Sequence, residues 1–93
     1  MTQRFIETDY RGATLRLECA GDAGAILRIN GLVREERSRD PDQQHAVIRL
    51  TSTVQTDYEW HEFIEGIVDY NDDRITATLI ANSAEIARES WET

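Results

Sequence analysis

Apolar and polar residues alternate along much of the first 55 residues, which is the pattern of half-buried β-strands. The strands predicted in this region are 5–10, 13–19, 25–37 and 46–55. The last three of these each have an apolar face and an opposite face of Arg, Thr, Glu and Asn. The glycine-rich segment 20–24 predicts a hairpin turn, because glycine readily adopts positive φ. The pattern predicts an antiparallel meander with one packed side and one wet side.

The strand predicted over 25–37 is interrupted by Gly31. Its alternation places Leu27, Ile29 and Val33 on the inner face. An isolated glycine within a strand often marks a bulge or a bend, so Gly31 predicts a local irregularity in a single long strand.

Residues 57–68 carry the pattern of an amphipathic helix. Thr56 and Glu59 have the spacing of a capping box, in which each side chain bonds a backbone amide of the first turn. Five apolar residues follow at the helical spacing i, i+3, i+4, i+7 and i+8. They are Trp60, Phe63, Ile64, Ile67 and Val68. Gly66 opposes a helix by about 1 kcal/mol relative to alanine.

A strand over 58–70 is the alternative for the same stretch. Two short segments resemble later ones, since 15–17 resembles 48–50 and 29–33 resembles 64–68. The offsets of 33 and 35 residues indicate a degenerate hairpin repeat.

The strand pattern fits this stretch less well than the helical one. In a strand, Phe63 and Ile67 lie on the face opposite the other three apolar residues, and Glu62 lies on the apolar side. We therefore predict a helix over 57–68.

The end of the chain predicts one more strand and one more helix. Residues 75–81 alternate as a strand, and 83–91 contain good helix formers after a capping Asn or Ser. The predicted fold is α+β, with an antiparallel meander of about five strands and two helices on one face. The alternative is an all-β barrel or sandwich with 58–70 as a strand. Residues 1–93 are predicted to form a single globular domain.

Composition and charge narrow the class of protein. The apolar fraction of 40% is ordinary for a globular domain, and no run is long enough for a membrane span. The N-terminus lacks the apolar core of a signal peptide, which predicts a cytoplasmic location. The net charge of -8 lies entirely in residues 56–93, and all ten basic residues are Arg. We therefore expect neither nucleic acid nor membrane as a direct partner.

A metal site is the sharpest candidate for chemistry. On a helix, His61 and Glu65 lie one turn apart, which suits two metal ligands. A zincin-like motif requires a second histidine at the position of Glu65, and no pattern places His45 as a third ligand. We therefore predict no metal and no cofactor, with His61 and Glu65 as the weaker alternative.

Three arginines are candidates for anion binding. If the strand registers match, Arg16, Arg28 and Arg49 share the wet side of the meander. Guanidinium groups on adjacent strands can hold a carboxylate or a phosphate. The competing interpretation is pairing with neighbouring acidic residues across the strands.

The favoured functional hypothesis is a non-enzymatic protein-binding module, similar in size and charge to inhibitor, immunity or antitoxin proteins. It would present an acidic helical surface to a partner with a basic surface, and it could also self-associate. The predicted contact residues are Asp57, Tyr58, Glu59, Glu62 and Glu65. The alternative is a small-ligand-binding domain, or a metal-dependent enzyme that uses His61, Glu62 and Glu65.

Overall fold

The computed structural model describes residues 4–20, 24–38, 46–55, 61–71 and 73–92, and within these ranges the chain is all β. Eight antiparallel strands form two four-stranded sheets, in each of which every strand pairs with the next. Sheet 1 consists of β1 (Arg4–Tyr10), β2 (Ala13–Ala20), β3 (Gly24–Ile29) and β4 (Leu32–Ser38). Sheet 2 consists of β5 (Ala46–Gln55), β6 (His61–Tyr70), β7 (Arg74–Ala81) and β8 (Ala84–Glu92).

The two sheets bury their apolar faces against each other in one core. Strict alternation in β2 and β7 directs every second side chain inward, as the sequence predicts for both strands. The most deeply buried large side chains are Leu15, Leu17, Leu27, Leu50, Ile64, Leu79 and Val68. The face of each sheet that packs on this core is its inner face, and the opposite face is its outer face.

The helix predicted over 57–68 is wrong. Residues 61–70 form β6, which pairs with β5 on one side and β7 on the other. Ile64 and Val68 lie fully buried on the inner face, whereas Phe63 lies on the outer face and is 44% exposed. The backbone of β6 is bonded to two neighbouring strands, and this pairing outweighs the helical spacing of its side chains. The all-β alternative, which has 58–70 as a strand, is right for 61–70, and residues 58–60 lie outside the described part of the chain.

The helix predicted over 83–91 is also wrong, and with it the α+β fold class. Ser83 lies in a turn and residues 84–91 lie in β8, where Trp91 pairs with Ile75 and packs at the edge of the core. Good helix formers are a weak preference that tertiary pairing overrides. As a strand, β8 forms hydrogen bonds with the backbone N–H and C=O groups on one side of β7, which would otherwise have no partner in the sheet.

Gly31 is not a bulge within one long strand. Asn30 and Gly31 have φ of 53° and 82°, and together they form a two-residue turn between β3 and β4. Asn-Gly is the strongest short-range signal for such a hairpin, because both positions require positive φ. Beyond the turn Val33 pairs with Arg28 on the outer face, where it is 48% exposed, so its predicted inward position is also wrong.

The hairpin of β3 and β4 is repeated in the second half of the chain by β7 and β8, at an offset of 52 residues. Asn82 and Ser83 form the equivalent turn, with φ of 49° and 70°. Asn30 donates its backbone N–H to the Thr14 carbonyl and accepts from the Thr14 N–H through its side chain, at 2.8 and 2.9 Å. Asn82 makes the same two bonds with Phe63, at 2.8 and 3.0 Å. A hairpin repeat therefore exists at an offset of 52 residues, and the repeat predicted at offsets of 33 and 35 residues is wrong.

Each of these two hairpins also has an irregularity at the same place. The register shifts after Leu27 in the first hairpin and after Leu79 in the second. Each shift leaves one extra residue in the second strand, Arg34 in β4 and Ile86 in β8, and such bulges increase local twist. The two sheets are therefore built on one plan down to the position of the bulge.

Gly66 is a point of close contact between the two sheets. A Cβ atom at this position would lie 2.9 Å from Cδ1 and 3.4 Å from Cδ2 of Leu17. Within its own sheet Gly66 pairs with Leu50 on one side and Leu79 on the other, and both are fully buried. Leu17 therefore fills the space between two leucines that a side chain at Gly66 would occupy.

Exchanging glycine and serine at the second position of the two equivalent turns should change stability in opposite directions. We expect Ser83→Gly to stabilise the protein by about 0.5–1 kcal/mol, because glycine removes the steric penalty of positive φ in this turn. Gly31→Ser should destabilise it by a similar amount, since a Cβ there meets no atom within 4 Å and only the backbone penalty changes. Urea unfolding of both variants measures these changes. If both substitutions stabilised the protein, or both destabilised it, the two turns would not be equivalent.

Adding a methyl group at Gly66 tests the packing between the sheets. Gly66→Ala should destabilise the protein by about 1–3 kcal/mol, because the Leu17 side chain must leave its present position. Leu17→Val removes a methylene group at the point of conflict. The loss of stability in the double variant should therefore be smaller than the sum of the losses in the two single variants. Additive losses in a double-mutant cycle would show that the two residues do not share this space.

Candidate functional site

A row of charged side chains crosses the outer face of sheet 1. The register pairs Glu7 of β1 with Arg16 of β2, and Arg16 with Arg28 of β3. Directly paired residues point to the same face of a sheet. Because Leu17 and Leu27 point into the core, their neighbours Arg16 and Arg28 lie outside, side by side.

Glu18, two residues after Arg16 on the same face of β2, joins the two arginines. One carboxylate oxygen accepts from Nε of Arg16 at 3.0 Å, and the other accepts from Nε of Arg28 at 2.8 Å. Although Glu18 is on the outer face it is only 6% exposed, because the arginines cover it. Charge-assisted bonds of this kind are the strong ones in proteins, so Glu18 fixes the orientation of both guanidinium groups.

Arg16 is held from two further sides. Its guanidinium carbon lies 3.7 Å from the centre of the Phe5 ring, which is a cation–π contact. Its Nη1 lies 3.4 Å from an oxygen of Glu7, whose side chain is 45% exposed. Arg16 is thus an organised part of the surface.

Burial and charge act in opposite directions on Glu18. Burial by itself would raise the pKa of this carboxyl group, because the charged form is poorly solvated. The hydrogen bonds and positive charges of Arg28 and Arg16 together outweigh that effect, and they lower the pKa below its ordinary value of 4.5. Glu18 is therefore an ionised, buried anchor at neutral pH.

A hollow of about 310 Å³ opens above this cluster, and we call it the arginine pocket. Its lining residues are Glu7, Thr14, Arg16, Glu18, Arg28 and Gly31. Among the residues that the structure describes, Arg28 bonds only through Nε, so both of its terminal nitrogens are available as donors. The pocket therefore has cationic donors already oriented by a carboxylate beneath them.

The predicted row of three arginines is not formed. Arg16 and Arg28 are brought together, but Arg49 lies on β5 in the other sheet, where it is 3.7 Å from Glu65. The sequence has correctly assigned all three to wet faces. It could not show that 46–55 begins a second sheet.

The two described residues of the predicted acidic surface, Glu62 and Glu65, lie on opposite faces of β6. Glu62 is 4% exposed on the inner side of β6, where it accepts from Tyr10 Oη at 3.4 Å and from Arg11 Nη1 at 3.3 Å. It therefore connects β6 to the first turn of sheet 1. Glu65 is on the outer face of sheet 2, paired with Arg49. The other three predicted residues, Asp57, Tyr58 and Glu59, lie outside the described part of the chain.

The spacing that suggested a metal site is lost with the helix. Residues 61 and 65 belong to one strand, so their Cα atoms are about 13 Å apart rather than one helical turn. Within the described ranges no three His, Cys, Asp or Glu residues are grouped as metal ligands. His45 lies outside those ranges.

Cys19 has the environment of an unreactive thiol. Burial raises the pKa of this thiol to about 11, and the positive charge of Arg4 only partly opposes that rise. The thiolate is the nucleophilic form of cysteine, so Cys19 is protonated and inert at neutral pH.

Comparison of the chain with known protein families, curated proteins and solved structures finds no match. No helix in the described ranges is long and apolar enough to cross a membrane.

Removing the charge of Glu18 should weaken the protein in a pH-dependent way. At pH 7 we expect Glu18→Gln to cost about 1.5–3 kcal/mol, because the charge-assisted bonds to both arginines are lost. The folded pKa of Glu18 is lowered, so its contribution is fully present above the ordinary value of 4.5 and is lost as the pH falls through the folded pKa.

Urea unfolding of the wild type and of Glu18→Gln from pH 7 to pH 3 measures this difference. It should be largest at pH 7 and should shrink as the pH falls below 4.5. Glu36→Gln, an exposed change on β4, is the matched control. A difference that stays constant with pH would show that the charge of Glu18 is not what stabilises the cluster.

Proposed function

We propose that this protein is a non-enzymatic binding domain that holds a small carboxylate-bearing ligand in the arginine pocket. The observation that carries the proposal is the pair Arg16 and Arg28, fixed by a shared buried carboxylate, with the terminal nitrogens of Arg28 directed to no described partner. A planar guanidinium presents two parallel donors that match the two oxygens of a carboxylate.

Preorganisation supports binding at this site. A free arginine side chain loses rotamer entropy when a ligand orders it, and that loss reduces affinity. Here Glu18 and the Phe5 ring already order the arginines on neighbouring strands of a sheet. The hollow of about 310 Å³ is at the lower end of the range for small-molecule sites, so it suits a small ligand.

The lining residues support binding rather than catalysis. They include neither histidine nor cysteine, and Glu18 is engaged by both arginines. Thr14 donates its hydroxyl to Asp9 at 3.0 Å, so that hydroxyl has a partner of its own. A general base near neutral pH would need a carboxyl pKa that is raised, whereas that of Glu18 is lowered.

Our second proposal is that the protein binds a protein partner with a basic surface. The contact would be made by β8 and not by the acidic helical surface predicted from the sequence. The feature that favours it is the asymmetry of charge, since residues 56–93 carry the whole net charge of -8. In β8, Glu85, Glu89 and Glu92 are all exposed, so this edge strand is where such a partner would make contact.

Arg28→Lys tests the binding proposal because it keeps the positive charge and loses the planar fork. We expect small carboxylates to bind about tenfold more weakly, since a charge-assisted hydrogen bond contributes roughly 1.5–3 kcal/mol. NMR titration with a panel of small carboxylates, some also bearing an amino group, should give saturable shifts of the Arg28 Nε–Hε signal in the wild type. The backbone amide signals of Thr14, Arg16 and Gly31, which line the same pocket, report the affinity in both the wild type and Arg28→Lys. Arg88→Lys, an exposed arginine on β8, is the matched control.

Two results would overturn this proposal. In the first, no carboxylate of the panel gives a saturable shift at Arg28. In the second, the affinity is the same in Arg28→Lys and the wild type. Thermal unfolding of each variant confirms that it is folded before its affinity is compared.

A further inference from the structure

We propose that the ligand of the arginine pocket is dipolar, with an ammonium group in addition to its carboxylate. This inference rests on the proposed function and specifies which carboxylate-bearing molecules the pocket selects. It starts from the charges that line the pocket, which are two arginines and two glutamates. A lining that is neutral in sum does not attract a bare anion strongly, because Glu7 and Glu18 oppose it.

The positive side of the pocket is at Arg28. Glu18 binds this guanidinium through Nε, and no described residue bonds its two terminal nitrogens, while Arg28 lines the hollow. With 33% of its side chain exposed, Arg28 is partly withdrawn from water, so a carboxylate bound here is less screened than on an open surface.

The negative side of the pocket is at Glu7. One of its oxygens receives a long bond of 3.4 Å from Arg16, and no described residue bonds the other oxygen. Glu7 is on the edge strand β1, so its carboxylate can turn toward the hollow without disturbing the core. An ammonium group in the pocket would find this oxygen as its acceptor.

The two sides are separated by one strand. Glu7, Arg16 and Arg28 lie in register on β1, β2 and β3, which places their backbones about 10 Å apart from end to end. Arg16 is between them, held down on the Phe5 ring. A molecule whose two charges are several bonds apart therefore matches the pocket better than an α-amino acid, whose charges are adjacent.

Four related compounds test this inference by the same NMR titration. They are 6-aminohexanoate, hexanoate, hexylamine and glycine. 6-Aminohexanoate carries both charges at opposite ends of a flexible chain, hexanoate and hexylamine each lack one of them, and glycine has both but close together. We expect 6-aminohexanoate to bind roughly threefold or more tightly than each of the other three, as for one partly exposed ion pair.

Glu7→Gln is the decisive variant. It should remove the advantage of 6-aminohexanoate over hexanoate, and it should leave the affinity for hexanoate equal or slightly higher, because a negative charge is gone. Glu36→Gln is the matched control, since Glu36 lies on the outer face of the same sheet, on the other edge strand, and does not line the pocket. It should leave the advantage unchanged.

The outcomes separate this inference from the proposed function. If hexanoate binds the wild type as tightly as 6-aminohexanoate, or if Glu7→Gln leaves the advantage intact, the ligand is not selected as a dipole and only the inference falls. If neither compound shifts the Arg28 signal, the proposed function falls with it. If 6-aminohexanoate loses its advantage in Glu7→Gln and keeps it in Glu36→Gln, the result supports both the inference and the proposed function.

Discussion

The packing of Leu17 against Gly66 is the contact on which the rest of this structure depends. Leu17 enters the opposite sheet at the one buried position of β6 that has no side chain, between Leu50 and Leu79. All three leucines are fully buried, and a chain of 93 residues has few other ways to bury so much apolar surface. The distance between the sheets is therefore set where a glycine in one faces a leucine in the other.

The sequence predicts β1, β2 and β5 well and β6 badly, and the difference depends on whether the apolar residues of a strand occupy one face or both. Alternation in 13–19 has one interpretation, since a helix would scatter its apolar residues around the axis. In β6 the outer face carries Phe63 and Ile67, so apolar residues occur on both faces and imitate a helical stripe. Gly66 was evidence against the helix, but its cost of about 1 kcal/mol is small beside five apolar residues at helical spacing.

Glu62 argues against a strand because it would face the apolar side, and in the structure it does face that side. Its carboxylate is satisfied there by Tyr10 and Arg11, more than fifty positions earlier in the sequence. A charged residue is expected to be exposed unless a partner for it is known. A partner from the other sheet cannot be read from local spacing, so this error has a definite physical origin.

The two sheets share one backbone arrangement but carry different side chains at equivalent positions, so the candidate site of sheet 1 depends on its side chains and not on its backbone. The positions equivalent to Arg16, Glu18 and Arg28 hold Glu65, Ile67 and Ile80 in sheet 2. One scaffold thus carries an ion cluster on one outer face and mainly apolar residues at the same positions of the other. The sequence could place Arg16 and Arg28 on a wet face. It could not show that Glu18 would lie buried between them, because that burial comes from the arginines themselves.

The charge of the whole protein bears on what the arginine pocket can hold. A net charge of -8 creates a negative field that disfavours the approach of anions, although salt screens it over about 8–10 Å. A bare carboxylate must overcome that field and the two glutamates of the pocket. A dipolar molecule has no net charge for the field to act on, and it meets an oppositely charged group at each end. The acidic composition and the mixed lining of the pocket therefore favour the same class of ligand for separate reasons, one acting at long range and one in contact.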